Sequence, residues 1–206
     1  MRRRDFITFV GGAAATLPST WPFLAGAQKP AMPVIGYLHV GSESANWRGV
    51  AALRQGLADA GYVEGRDIAI EFRWANMQFE KLPKLAADLV RLKVAAIVAS
   101  GGIAAALAAK AATSTIPIVM FSGADPVRYK LVESLNRPGG NVTGLTLIVG
   151  ELSGKRLELL RELVPHAKTV GYMAGSPGYD EASQTVAAAA QRFGQRLIRF
   201  NIDRAA

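Results

Sequence analysis

The strongest constraint on this 206-residue chain is an alternation: short apolar runs take turns with amphipathic stretches, and the connections are short and rich in Gly, Ser and Pro. Residues 34–38 and 94–99 are apolar runs of strand length. Residues 67–73 alternate, with Ile68, Ile70 and Phe72 on one side and charged side chains on the other. Between these strands, residues 46–60 carry Val50, Leu53, Leu57 and Ala60 at helical spacing, and Gly61 sits where a left-handed cap is needed. Residues 79–92 place Leu82, Leu85, Ala86, Leu89 and Val90 on one helical face. The pattern continues with a helix over 103–112, a strand over 116–121, a short helix over 127–135 and an extended segment over 142–147. A second unit reads as a helix over 151–164 with Leu152, Leu157, Leu160 and Leu163 inward, a strand over 169–174, a helix over 179–193 and a strand over 196–201. Strands joined through helices in this way make right-handed crossovers and a parallel sheet with helices on both faces. The expected class is therefore α/β in two lobes, residues 28–150 and 151–206. With two strands, the second lobe falls below the three usually needed for independent stability. It is expected to be incomplete and marginal.

Residues 1–27 read as an export address rather than as structure. Arg2, Arg3, Arg4 and Asp5 make a charged start, residues 6–17 are apolar, and Ala25 and Ala27 precede a cleavage point at Gln28. The apolar stretch is too short before Pro18 to span a bilayer, which takes about 20 apolar residues. Arg3 and Arg4 followed by Asp5, Phe6 and Ile7 match a twin-arginine signal. The mature protein is expected in the periplasm.

The side-chain inventory narrows the chemistry. There is no cysteine, and His39 and His166 are the two histidines, so thiol chemistry is excluded and metal ligation has few donors. No cofactor or metal is expected. The formal charge of +8 is scattered rather than gathered into a stripe, which argues against nucleic-acid binding. Ligands of an open parallel sheet bind beyond the carboxyl ends of its strands. Four small-residue loops are read there: 39–46, 100–103, 123–127 and 140–144. A Ser100–His39–Asp125 set is conceivable at strand ends, but neither Ser42 nor Ser100 lies in a GxSxG turn. His39 reads as a pocket-wall or surface residue. Asp125, before Pro126, reads as a turn residue that also borders the pocket. No phosphate-binding glycine motif is present.

Several runs carry a resemblance. These are Asp125-Pro126-Val127, Leu131-Val132-Glu133-Ser134-Leu135, and Arg137-Pro138-Gly139-Gly140-Asn141-Val142-Thr143-Gly144. Leu53-Arg54-Gln55-Gly56-Leu57, Gly61-Tyr62-Val63-Glu64-Gly65 and residues 155–165 add to them. Together they resemble the ABC-transporter solute-binding proteins related to tryptophan- and phenylalanine-binding lipoproteins. The resemblance implies a type I periplasmic-binding fold that closes on a small ligand, an aromatic or branched amino acid or a related carboxylate. It also implies an inner-membrane ABC permease as partner and a monomeric binding protein. With no lipid-modified cysteine, the protein is expected to be soluble in the periplasm. Family members are longer, so the chain is expected to lack part of its second lobe. The expected binding set is Ser42, Asn46, Ser100, Gly101, Ala124, Asp125 and Thr143, faced by Ser176 and Tyr179. No catalytic residues are assigned. A flavodoxin-like or hydrolase-type α/β enzyme and a ligand-sensing regulatory lobe are the competing readings. The empty catalytic inventory argues against the first, and the leader argues against a cytoplasmic regulator.

Overall fold

The computed structural model describes residues 32–147, 150, 152–174 and 180–201. Residues 1–27, read above as an export address, and Ser176 and Tyr179 lie outside them. A first group of elements runs β1 (Val34–His39), α1 (Trp47–Asp59), β2 (Ala69–Trp74), α2 (Leu82–Arg91), β3 (Ala96–Ser100), α3 (Ile103–Ala112), β4 (Ile118–Ser122) and β5 (Val142–Thr146). Its five strands are parallel in the order β2-β1-β3-β4-β5. A second group runs α4 (Ser153–Leu163), β6 (Thr169–Ala174), α5 (Asp180–Arg192) and β7 (Arg196–Asn201), with β6 and β7 parallel in a sheet of their own. The predicted α/β class and alternation are what the protein adopts.

The two faces of the first sheet are packed differently, and the difference positions the site. One face carries Leu38, Ile97, Ala99, Ile118, Met120 and Val142, all buried in one cluster with Leu82, Ala86 and Leu89 of α2 and with α3. Each fully buried Leu or Ile contributes about 1.5–3 kcal/mol relative to exposure. Alanines make this face thin. Ala105, Ala106 and Ala109 of α3 are fully buried, so the helix backbone lies close to its neighbours. Gly36 plays the same part on β1, where a Cβ would come within 2.9 Å of Leu89 Cδ1.

The other face carries an aromatic set at the β1–β2 side. Tyr37 and Phe72 are register partners, as are His39 and Trp74, so the four rings share that face. Their centroids lie 5.3–5.9 Å apart in the contacts Tyr37–His39, Tyr37–Phe72, Tyr37–Trp74, His39–Trp74 and Phe72–Trp74. α1 lies on this side with only Val50 buried. Its start is tied to the sheet by Asn46 Nδ2, which donates to the Tyr37 hydroxyl at 2.6 Å. Its end is closed as predicted: Gly61 takes φ +89°, and Tyr62 N–H reaches Leu57 O at 2.8 Å.

Three expectations are corrected. The helix read over 127–135 does not form. The chain makes one turn from Pro126 and is stopped by Lys130 at φ +54°, with Leu131 N–H donating to Pro126 O at 2.9 Å. Lys110 Nζ then takes the Lys130 and Leu131 carbonyls at 2.6 and 2.9 Å, so the turn is stabilised from outside and has no need to propagate. In α4, Leu157 is buried, but Leu152, Leu160 and Leu163 are 53%, 43% and 80% exposed. Leu152 and Leu163 sit about 120–140° around the helix from Leu157 at 100° per residue, beyond the stripe that meets Val186, Ala189 and Ala190 of α5. Finally, the loop 140–144 leads into the amino end of β5, where Asn141 Nδ2 holds the Thr113 and Ile116 carbonyls at 3.0 and 2.8 Å. It is not a carboxyl-end loop.

Candidate ligand-binding site

The strand order reverses between β1 and β3: β2 lies on one side, and β4 and β5 lie on the other. The carboxyl ends at such a switch point diverge into a crevice, because successive crossovers leave on opposite faces. His39 and Ser100 stand there side by side as register partners.

The loops around them are held by backbone bonds to β1. Ala75, Asn76 and Met77 N–H groups donate to the carbonyls of His39, Gly41 and Val40 at 2.9, 3.2 and 2.8 Å. Asn76 and Met77 are consecutive left-handed residues, φ +51° and +62°. Two such non-glycine residues in sequence are strained and persist only where neighbours hold them. The turn they make, with Ser42, Glu43, Ser44 and Trp74, lines an open recess.

His39 is the central polar group. It is 9% exposed, and its Nδ1 accepts the Gly41 N–H at 2.8 Å, so the ring carries its proton on Nε2. Burial pushes its pKa below the ordinary 6.5 and favours the neutral ring. Its ring packs against Gly101, where a Cβ would lie 2.7 Å from Nε2 and where φ is +84°. Gly101 is thus required twice, by the backbone and by the imidazole. α3 begins immediately after it with Gly102 as N-cap and no side-chain cap, leaving its first N–H groups for an external acceptor.

The expected residues separate into groups. Ser42, Asn46, Ser100, Gly101, Ala124 and Asp125 all fall on carboxyl-end loops or strand ends. The Ser100 hydroxyl makes no hydrogen bond to another described residue and is partly exposed. Ser42 Oγ accepts the Ala45 N–H at 3.3 Å, and the Asn46 amide is committed to Tyr37. Ala124 is fixed by its N–H to Ser122 Oγ at 3.1 Å and by its carbonyl to Thr146 Oγ1 at 2.7 Å. Asp125 Oδ1 accepts the Val127 N–H at 2.9 Å in the expected turn. Thr143 is not with them: it is the second residue of β5, paired with Val119. Ser176 and Tyr179 are outside the described residues. Sequence reasoning missed Trp74, whose strand it ended one residue early, and Asn76, whose left-handed backbone leaves only a weak signature in residue type.

The family described as ABC transporter substrate binding protein matches residues 38–206. A tyrosine-binding protein of Clostridioides difficile is 39% identical over 115 residues, which are 56% of this chain and 32% of that one. A conserved domain protein of Vibrio cholerae superposes with a TM-score of 0.72 at 26% identity, over 82% of this chain and 57% of that one. An ABC domain of Streptococcus pneumoniae in complex with L-Trp gives 0.68 at 26% identity, over 83% and 57%. The chain thus spans little more than half the length of these solved relatives, and it has the α/β architecture of type I periplasmic-binding proteins. The family consists of substrate-binding proteins, not enzymes, and the match to its pattern over residues 38–206 places this chain in the ABC transporter substrate-binding protein family.

Proposed function

We propose that this protein is the periplasmic solute-binding component of an ABC importer. In this reading it takes an amino acid with an aromatic side chain, or a related carboxylate, at the carboxyl ends of β1 to β4. It then delivers that ligand to a permease in the inner membrane. The observation that carries the reading is the switch point, where the Ser100 hydroxyl, the His39 Nε2–H and the uncapped start of α3 converge beside Trp74. Ser42, Gly101, Ala124 and Asp125 border the same edge. Donors next to an aromatic wall suit a ligand with one anionic end and one flat apolar end. The names of two relatives support this class, one a tyrosine-binding protein and one solved with L-Trp. Ser176 and Tyr179 belong to the opposing wall in this proposal, and export uses the twin-arginine leader. Residues 28–150 and 151–206 act as the two lobes.

A thermal-shift screen tests the class. Ligand at 100 times its Kd stabilises the native state by about 2.7 kcal/mol, several degrees of melting temperature for a chain of this size at about 2–4 °C per kcal/mol. Tyrosine, tryptophan, phenylalanine and aromatic carboxylates are expected to produce that shift. If none of them shifts the melting curve at millimolar concentration, the proposed class is wrong.

A further inference from the structure

We propose that His39 is a ligand-contacting, specificity-determining residue: its Nε2–H and the first N–H groups of α3 together receive a carboxylate oxygen of the ligand. The inference rests on the function proposed above. Sequence alone made this histidine a pocket-wall or surface residue; the structure gives its two nitrogens separate surroundings. Nδ1 is committed, because it accepts the Gly41 N–H at 2.8 Å and so fixes the loop after β1. Nε2 is not committed: it has no hydrogen-bond partner among the described residues, and it is not among their fully buried unpartnered side-chain atoms.

Three features place it. The ring packs edge-on against Trp74, with centroids 5.3 Å apart, and lies parallel to Tyr37 at 5.9 Å, which restrains its orientation. The Nε2 end of the ring packs against Gly101, whose Cβ would lie 2.7 Å from Nε2, one residue before the N-cap of α3. Gly102 supplies no side-chain oxygen to satisfy that helix start, in contrast to a Ser, Thr or Asp cap. A histidine that is nine-tenths buried, a ten-residue helix start without a side-chain cap, and a glycine packed on the imidazole beside that start bring two kinds of donor to one strand end. The Ser100 hydroxyl, next to His39 in register, is placed to meet the second oxygen.

Two substitutions separate this role from a structural one, because they divide the two nitrogens. In His39→Asn the side-chain oxygen replaces Nδ1 as acceptor for Gly41, and the distal donor is lost. In His39→Gln the distal donor is kept and the proximal acceptor is lost. Calorimetric titration of the full chain with L-tryptophan and L-tyrosine is expected to show His39→Asn weakened by about 10- to 150-fold, the range for one hydrogen bond to a charged group. His39→Gln should be weakened less, by about tenfold relative to His39→Asn. In the wild type, the His39 Nε2 resonance should shift on ligand addition. An unmoved resonance, or His39→Asn binding as tightly as wild type, overturns the inference and leaves the proposed function standing. Failure of the wild type to bind either amino acid overturns that function, and this inference with it.

Discussion

Burial decides how His39 titrates. Its neutral ring is favoured by desolvation in the folded protein, so its pKa lies below 6.5, while the unfolded chain returns it to the ordinary value. As pH falls through about 6.5, the unfolded state takes up a proton that the folded state resists, and stability is lost in that direction. Above that pH the contribution is complete. The expected outcome is a melting temperature that drops as pH is lowered from 7 toward 5, with a shallower slope in His39→Asn. Equal slopes in the two proteins would show that this ring is not a source of the pH dependence. The same residue explains Gly101, whose neighbour is the imidazole. Asp125 and Asn46 show the opposite case. Both lie on the right edge of the sheet, yet Asn46 spends its amide on Tyr37, and Asp125 spends an oxygen on its own turn.

Among the elements, β5 shows how a family motif can be structural. The run from Arg137 to Gly144 is the most specific stretch in the chain, yet it lies at the amino end of a strand, remote from the switch point. Its glycine is forced. Gly144 has φ +146°, and a Cβ there would collide with the Met120 backbone of β4. Gly144→Ala is therefore expected to destabilise the protein by about 1–3 kcal/mol from backbone strain alone, with further cost from moving β4. Chemical denaturation measures it, and a loss under about 0.5 kcal/mol would mean that β5 shifts freely. Thr143 was expected in the pocket because its loop was assigned to the wrong end of its strand. Periodicity locates a strand but not which of its flanking loops faces the crevice. The absent helix after β4 has a different cause: Lys110, twenty residues away in sequence from Lys130, holds the carbonyls that a longer helix would have used.

At the scale of the whole molecule, two apolar clusters stand apart. Among the described residues the first holds nineteen buried side chains and the second holds Leu157, Val186, Ala189 and Ala190. Leu163, Met173 and Phe200, from the elements around the second cluster, are exposed. Local opening costs least where buried apolar contacts are fewest. Limited proteolysis is accordingly expected to cut first within residues 151–206 and to leave a resistant fragment near residues 32–147. Equal resistance through both lobes, with a single unfolding transition, would show that they fold as one unit.

What the sequence determined by itself is the set of elements and their class. Strands β6 and β7 and helix α3 fall where period and composition put them, and the cap at Gly61 follows from its residue type. Those features depend on local backbone preference and on a hydrophobic pattern that repeats within a few residues. Only the tertiary structure decided the strand order, and with it the switch point that brings His39, Ser100 and Gly101 together. It also decided which nitrogen of His39 is occupied, that α4 buries one leucine of four, and that Thr143 lies at the far end of its strand. These depend on contacts between residues distant in the chain, where packing and hydrogen-bond geometry, not local pattern, select among arrangements that the sequence leaves open.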